Sequence, residues 1–293
     1  MAEEEKSPIG VALAGGGLQG FSHIGALKAL EELGVKVEYI SGTSSGSMMA
    51  SLYAMQYSLE EIEKMCENVY KKILKIRKRT LLKIVLNLLL HKETRIEGLI
   101  QGEKVANFIN KAANAKNMNM IDDFKKIKIA IATVDTKTMK ECIFLSETVT
   151  EKEKTINYIS NINIGKAVQS SIAFPGIFTA SNYNEYNFID GGTVNNLPVK
   201  VLKDMGAKKI ISLSFDLNKY TPSKSIEGVV MRALDIFSLN SVRAGQKEAN
   251  VAVEIYNQDT GLVNIKDLSK TIQNGYDAVM EKKEEILELI KNT

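Results

Sequence analysis

Ile9-Gly10-Val11-Ala12-Leu13-Ala14-Gly15-Gly16-Gly17-Leu18-Gln19-Gly20 is a short apolar run that stops at three consecutive glycines. A run this short, ended by glycine, reads as a buried strand feeding a loop. Beyond it, Ile24, Leu27, Leu30 and Leu33 recur at helical spacing, and Gly34 supplies the stop. Val35 to Ile40 reads as a second strand, halted by Ser41-Gly42, and a helix rich in small residues begins near Ser45. Strand, glycine loop, helix, strand and helix in succession are the opening of an α/β layered fold.

The same alternation continues outward. Ser58 before Leu59-Glu60-Glu61 predicts a capped helix, and a further helix is expected over 101–113. Lys126–Val134 and Glu141–Leu145 read as neighbouring strands. A small-residue helix over Ile164–Ala173 leads through Phe174-Pro175-Gly176-Ile177-Phe178, a turn, into Tyr186-Asn187-Phe188-Ile189-Asp190-Gly191-Gly192. Lys208–Phe215 and Val251–Tyr256 are further strands, and long helices are expected over 223–249 and 267–291. No repeat and no proline- or serine-rich linker divides the chain. The expectation is one α/β layered domain.

The chain has 293 residues, 44% of them hydrophobic and 25% charged, which is a globular composition. Its 38 basic and 35 acidic side chains leave a net charge of only +3, without the basic excess of a nucleic-acid binder. Two cysteines, Cys66 and Cys142, supply neither a disulfide framework nor a four-ligand zinc site, and both read as buried thiols. The acidic start and the absence of a long apolar segment predict a soluble, cytoplasmic protein.

Two histidines, His23 and His91, narrow the chemistry further. Gly42-Thr43-Ser44-Ser45-Gly46 fits G-x-S-x-G between a strand and a helix, where a nucleophile elbow belongs; the plainer reading is a helix-capping serine in a glycine turn. An ordinary triad would place its histidine late in the chain, yet none follows His91. Both histidines therefore read as packed or surface residues. Asp190, before Gly191-Gly192, can supply the missing base, its low intrinsic pKa raised by burial, although an Asp-Gly turn needs no such role. The glycine loop admits three readings. Gly15, Gly17 and Gly20 satisfy the dinucleotide pattern G-x-G-x-x-G, but the second strand lacks the acid that would hold a ribose. A tight structural turn is the second reading. The third is an anion cradle of backbone N–H groups at a helix start, suited to a developing oxyanion.

In this order, the three motifs resemble the patatin-like phospholipase family over about 9–203. Ala167–Phe178 and Asn195-Asn196-Leu197-Pro198 extend the likeness. The resemblance implies a three-layer α/β/α sandwich with a mainly parallel central sheet. It also implies a lipid ester substrate and a Ser–Asp dyad needing no metal or cofactor. Carried over, Ser44 is the nucleophile, Asp190 the general base, and the amides of Gly16 and Gly17, with Gly15, the oxyanion hole. Gly20, Gly42, Gly46, Gly191 and Gly192 support the motifs. The reaction implied is hydrolysis of phospholipid or lysophospholipid esters. Acyl transfer through the same acyl-enzyme, or a non-catalytic lipid-binding module, are the alternatives. One departure stands out: Gln19 occupies a place where the family usually carries Lys or Arg.

Between Lys71 and Lys92 lie eight basic residues, Lys71, Lys72, Lys75, Arg77, Lys78, Arg79, Lys83 and Lys92, with no acidic residue and many Leu and Ile. A helix packed on the core with a solvated basic face accounts for this. So does an interfacial segment that docks on the anionic inner face of a membrane, each basic side chain contributing about 1 kcal/mol. A nucleic-acid partner would call for interleaved aromatics, which are missing. If the segment is interfacial, neutralising Lys75, Arg77, Lys78 and Arg79 lowers vesicle binding and activity on vesicles while sparing a short soluble ester. Equal loss on both substrates would argue against that role.

Overall fold

The computed structural model describes residues 7–68, 102–149, 153–175, 177–216, 226–257, 265 and 267–291. The basic stretch 71–92, His91 and Gly176 lie outside the described residues. Strand β1 is Ile9–Leu13, and all five of its residues are buried, as expected of a central parallel strand covered on both faces. A 3-10 turn, Gly17–Phe21, leads into α1, Ser22–Glu32. Then follow β2, Val37–Thr43, and α2, Ser45–Ala54. Helix α3 spans 59–68, and Ser58 caps it as expected: its hydroxyl accepts the Glu61 N–H while the Glu61 carboxylate accepts the Ser58 N–H. The chain continues through α4 (Glu103–Lys116), β3 (Lys128–Asp135), β4 (Lys140–Leu145), β5 (Ile156–Ile159) and α5 (Ile164–Ser171). It closes with β6 (Ser181–Tyr183), β7 (Tyr186–Asp190), α6 (Val199–Asp204), β8 (Lys209–Phe215), α7 (Ile226–Glu248), β9 (Val251–Ile255), α8 (Leu268–Glu281) and α9 (Lys283–Lys291).

All nine described strands belong to one sheet, in the order β5-β4-β3-β2-β1-β8-β9, with β7 joined to β3 and β6 to β7. Strands β3, β2, β1, β8 and β9 run parallel. The chain steps from β1 through β2 to β3 and later returns to the other side of β1 with β8. The carboxyl end of β1 therefore lies at a topological switch point, where open α/β sheets leave a crevice. Helices cover both faces. Gly10 lies against Leu202 and Ala207, and the Ser41 hydroxyl donates to the Pro198 carbonyl, so α6 packs on that side. Gly42 faces the other way, against Gly46 of α2.

The structure departs from the sequence reading in several places. Strand β2 does not halt at Ser41-Gly42 but runs on to Thr43, because β1 pairs with it as far as Gly42 and β3 as far as Thr43. The segment 267–291 is two helices, α8 and α9. They part at Lys282, where Glu281, Lys283, Glu284 and Glu285 are all exposed and bury nothing that would hold one straight rod. The short strands β5 and β6 and the helix α6 have no counterpart in the reading. Cys66 and Cys142 are buried, as expected. Among the described residues no helix is long and apolar enough to cross a membrane.

Helices α1 and α8 cross through paired glycines. A methyl group on Gly275 would run into the Ser22 carbonyl oxygen, and one on Gly25 into that of Ile272. Gly275→Ala is expected to destabilise the protein by about 1–3 kcal/mol through overpacking, despite a gain of about 1 kcal/mol in helix propensity. Thermal unfolding checks this, and an unchanged or raised melting temperature would refute it.

Candidate active site

Ser44 forms the bend between β2 and α2 with φ 52° and ψ −123°. A side-chain-bearing residue in this region costs on the order of 1–3 kcal/mol and persists only where its surroundings enforce it. The flanking glycines let them do so. A Cβ on Gly42 would strike the Gly46 backbone, and one on Gly46 the Leu13 carbonyl, so α2 starts directly against the strands. The Ser44 N–H donates to the Ser171 hydroxyl at 2.9 Å, which itself donates to the Ala132 carbonyl at 2.7 Å. The Ser44 carbonyl accepts the Ser47 N–H and hydroxyl.

Asp190 ends β7 and is buried. It reaches Ser44 through the register of β3. That strand pairs in parallel with β2 as far as Thr43 opposite Ala132, and its next residue, Thr133, pairs antiparallel with Asp190. Strands β2 and β7 thus occupy successive stretches of one β3 edge, running toward each other, and their carboxyl ends meet. Carboxylate Oδ1 accepts the Gly192 N–H at 2.8 Å, while Oδ2 makes no hydrogen bond among the described residues. Burial raises the Asp190 pKa to about 6; the Ser44 side chain and the Gly192 N–H, which favour the ionised form, offset it only in part. Ser44 lies close enough to the carboxylate to act on it, yet short of the geometry of a formed hydrogen bond.

The glycine loop differs in detail from the expectation that Gly15, Gly16 and Gly17 all present open amides. The Gly15 N–H is taken by Asn196, by its Oδ1 at 3.1 Å and its backbone oxygen at 3.3 Å. The Gly16 N–H donates to the Ser45 hydroxyl at 3.1 Å. Gly17, at φ 60°, opens the 3-10 turn. The first N–H groups of a helix have no intrahelical acceptor, and those of Gly17 and Leu18 have none among the described residues. Gly15 packs against Ser44: a Cβ there would lie 2.9 Å from the serine Cβ. Gly20 similarly abuts Ser45, and Gly191 abuts the Ala132 carbonyl.

His23 is fully buried beneath this loop. Its Nε2 lies 2.9 Å from the Ala14 carbonyl, which only accepts, so Nε2 carries the proton and Nδ1 is bare. Burial lowers its pKa to about 4 and keeps the ring neutral. Where the dinucleotide reading needs an acid, β2 ends at Thr43 and enters the Ser44 bend. Among the described residues no group of three or more His, Cys, Asp or Glu side chains is gathered as a metal site would require. The sequence reading missed Ser171, Ser45 and the side-chain role of Asn196. Their partners lie 127, 29 and 181 residues away, and no local pattern signals such pairings.

The family described as patatin-like phospholipase matches residues 11–203. Lysophospholipase NTE1 of Candida albicans is 28% identical over 206 residues, covering 70% of this chain and 13% of that protein. Human patatin-like phospholipase domain-containing protein 6 is 27% identical over 225 residues, covering 74% of this chain and 14% of that protein. The chain thus spans only a small part of these relatives. Among solved structures, VipD from Legionella pneumophila superposes with a TM-score of 0.55 at 15% identity, covering 96% of this chain and 67% of that one. Human GIVD cytosolic phospholipase A2 does so with a TM-score of 0.52 at 11% identity, covering 99% and 61%. These two share the fold.

The buried carboxylate has a consequence for stability that needs no substrate. Asp190 titrates near 3.8 when unfolded and about 6 when folded. Between those values the folded protein holds a proton that the unfolded chain has lost, so this group lowers stability as pH rises through the window, with the full cost present above it. Asp190→Asn keeps the Oδ1 acceptor and removes the charge. It should be more stable than the parent protein at pH 8, by up to ~3 kcal/mol, with the difference vanishing near pH 4. Melting curves across this range test it; a variant less stable at pH 8 would show that ionisation is not penalised.

Proposed function

The chain belongs to the patatin-like phospholipase family, and from that premise we propose that it is a serine acyl hydrolase of lipid esters, with Ser44 as nucleophile and Asp190 as general base. The observation that carries the reading is the meeting of β2 and β7 on adjacent residues of β3. It brings a strained serine to a buried carboxylate with one oxygen unpartnered among the described residues. A carboxylate with a pKa of about 6 is a better-matched base at neutral pH than an ordinary aspartate, and is still ionised. His23 is no competitor, since its protonated nitrogen is committed to Ala14 and burial opposes its charging.

In this proposal Asp190 takes the Ser44 proton as Oγ attacks the ester carbonyl. The resulting oxyanion is met by the N–H groups of Gly17 and Leu18, while Gly15 and Gly16, whose amides are engaged, shape the loop. The N-terminal dipole of α2 adds to the same stabilisation. Collapse of the intermediate breaks the ester C–O bond, and the proton on Asp190 passes to the leaving alcohol. Water, deprotonated by Asp190, then attacks the acyl-serine; Ser44 regains its proton and a fatty acid departs. The names of the relatives favour phospholipid or lysophospholipid as substrate. Contact with anionic membrane through 71–92 belongs to the same reading and rests on its run of basic residues. So does a single domain in which 204–293 completes 9–203, supported by β8 and β9 extending the sheet beside β1.

A chromogenic medium-chain ester and a fluorophosphonate probe test the assignment. Ser44→Ala should abolish both hydrolysis and labelling. Asp190→Asn should lower kcat/KM by about 100-fold or more. In the parent protein kcat/KM should fall as pH drops through about 6, because the base must be ionised. Full activity in Ser44→Ala, or an acid limb near the ordinary aspartate value, would overturn the dyad.

A further inference from the structure

The first peptide groups of the glycine loop are held by side chains from three separate parts of the chain. The Ala14 carbonyl accepts from His23 Nε2, and the Gly16 N–H donates to the Ser45 hydroxyl. The two peptide groups that flank Gly15 are also gripped together by one residue, through the Gly15 N–H and the Gly15 carbonyl. Asn196 Oδ1 accepts the Gly15 N–H at 3.1 Å, and Asn196 Nδ2 donates to the Gly15 carbonyl at 3.1 Å. Only this orientation of the amide satisfies both groups, since the flipped one would set donor against donor and oxygen against oxygen. The pair is buried, where an unmatched amide is expensive.

Asn196 is itself anchored. Its N–H donates to the Ser241 hydroxyl at 3.0 Å, and that hydroxyl donates to the Ser238 carbonyl in the same helix, α7. The preceding residue, Asn195, closes the turn that Asp190 opens: its N–H donates to the Gly191 carbonyl, and its carbonyl accepts the Thr43 hydroxyl, next to Ser44. One short segment, 190–196, therefore carries the base at its start and grips the glycine loop at its end.

We propose that Asn196 is a positioning residue whose side-chain amide locks the two peptide groups flanking Gly15 and thereby fixes where the Gly17 and Leu18 N–H groups stand relative to Ser44 and Asp190. The inference rests on the reading of this site as an acyl hydrolase. It adds the device that keeps the oxyanion donors and the base in one frame. A displaced donor weakens transition-state stabilisation more than substrate binding, so the effect should fall on kcat.

Two measurements decide it. In the parent protein, amide hydrogen exchange should be slow at Gly15 and Gly16 and fast at Gly17 and Leu18, which requires no variant. In Asn196→Ala, exchange should accelerate over 14–16 while β1 and α2 stay protected. On a medium-chain ester its kcat should fall by about 100-fold with KM changed by less than about threefold. Asn196→Asp keeps an acceptor for the Gly15 N–H and loses the donor to the Gly15 carbonyl, so it should show the same split. Fast exchange at Gly15 in the parent protein, or a folded Asn196→Ala with kcat close to that of the parent, would overturn the proposal. A parent protein without Ser44-dependent hydrolysis would instead remove the hydrolase reading, and exchange alone would then judge the clamp.

Discussion

Ala132 and Thr133 are consecutive residues of β3, yet they pair with strands that arrive from opposite directions. Everything at the site follows from that change of partner. Had β2 run two residues further, it would have occupied the edge that β7 uses, and Asp190 would have been displaced from the sheet. The bend at Ser44 ends β2 in time, and the glycines at 42 and 46 make the bend possible by letting α2 lie against the strand ends. The strain at Ser44 and the position of Asp190 are thus two results of one register. The Ala132 carbonyl records both: it accepts the Ser171 hydroxyl that holds the Ser44 amide, and it lies against Gly191, where a side chain would collide.

In the proposed dyad, a carboxylate in place of an imidazole asks more of burial than a triad does. An exposed aspartate is too acidic to draw a proton from a hydroxyl efficiently. Desolvation corrects this, but carried too far it would leave the group protonated and useless as a base. Asp190 sits between these limits because its burial is complete and the Ser44 side chain and the Gly192 N–H offset that burial only in part. A second firm donor on Oδ2 would favour the anion and pull the pKa back down. The absence of such a donor among the described residues leaves the Asp190 pKa raised.

How much of this was legible in the sequence depends on the range of each interaction. The glycine loop, the Gly-x-Ser-x-Gly bend and the Asp-Gly-Gly turn each declare themselves within six residues, because backbone geometry there demands small residues. The parallel core was readable for a similar reason: a run such as Ile9–Leu13, buried throughout, has a pattern of its own. The short strand β5, half-buried at the sheet edge, carries no such pattern. Which amides of the loop remain open was not readable either. Gly15, Gly16 and Gly17 are identical as letters, and their different fates are set by Asn196 and Ser45. Ser41-Gly42 read as a stop because those residues end strands in solvent-facing positions; between two parallel neighbours they extend one.

The scaffold of the site also reaches past the region that the family match covers. The Ala14 N–H donates to Leu213 of β8, and the Phe215 ring lies so close to Gly16 that no side chain would fit there. The same ring packs against His23, with centroids 4.9 Å apart, beneath the loop. Ser241 of α7 holds the Asn196 amide from the far side. A fragment ending near 203 would keep Ser44, Asp190 and all three glycines, yet would lose the strand beside β1, the ring under the loop and the anchor of Asn196. Ser44 and Asp190 lie within 11–203, but several contacts that hold the glycine loop in place come from β8 and α7.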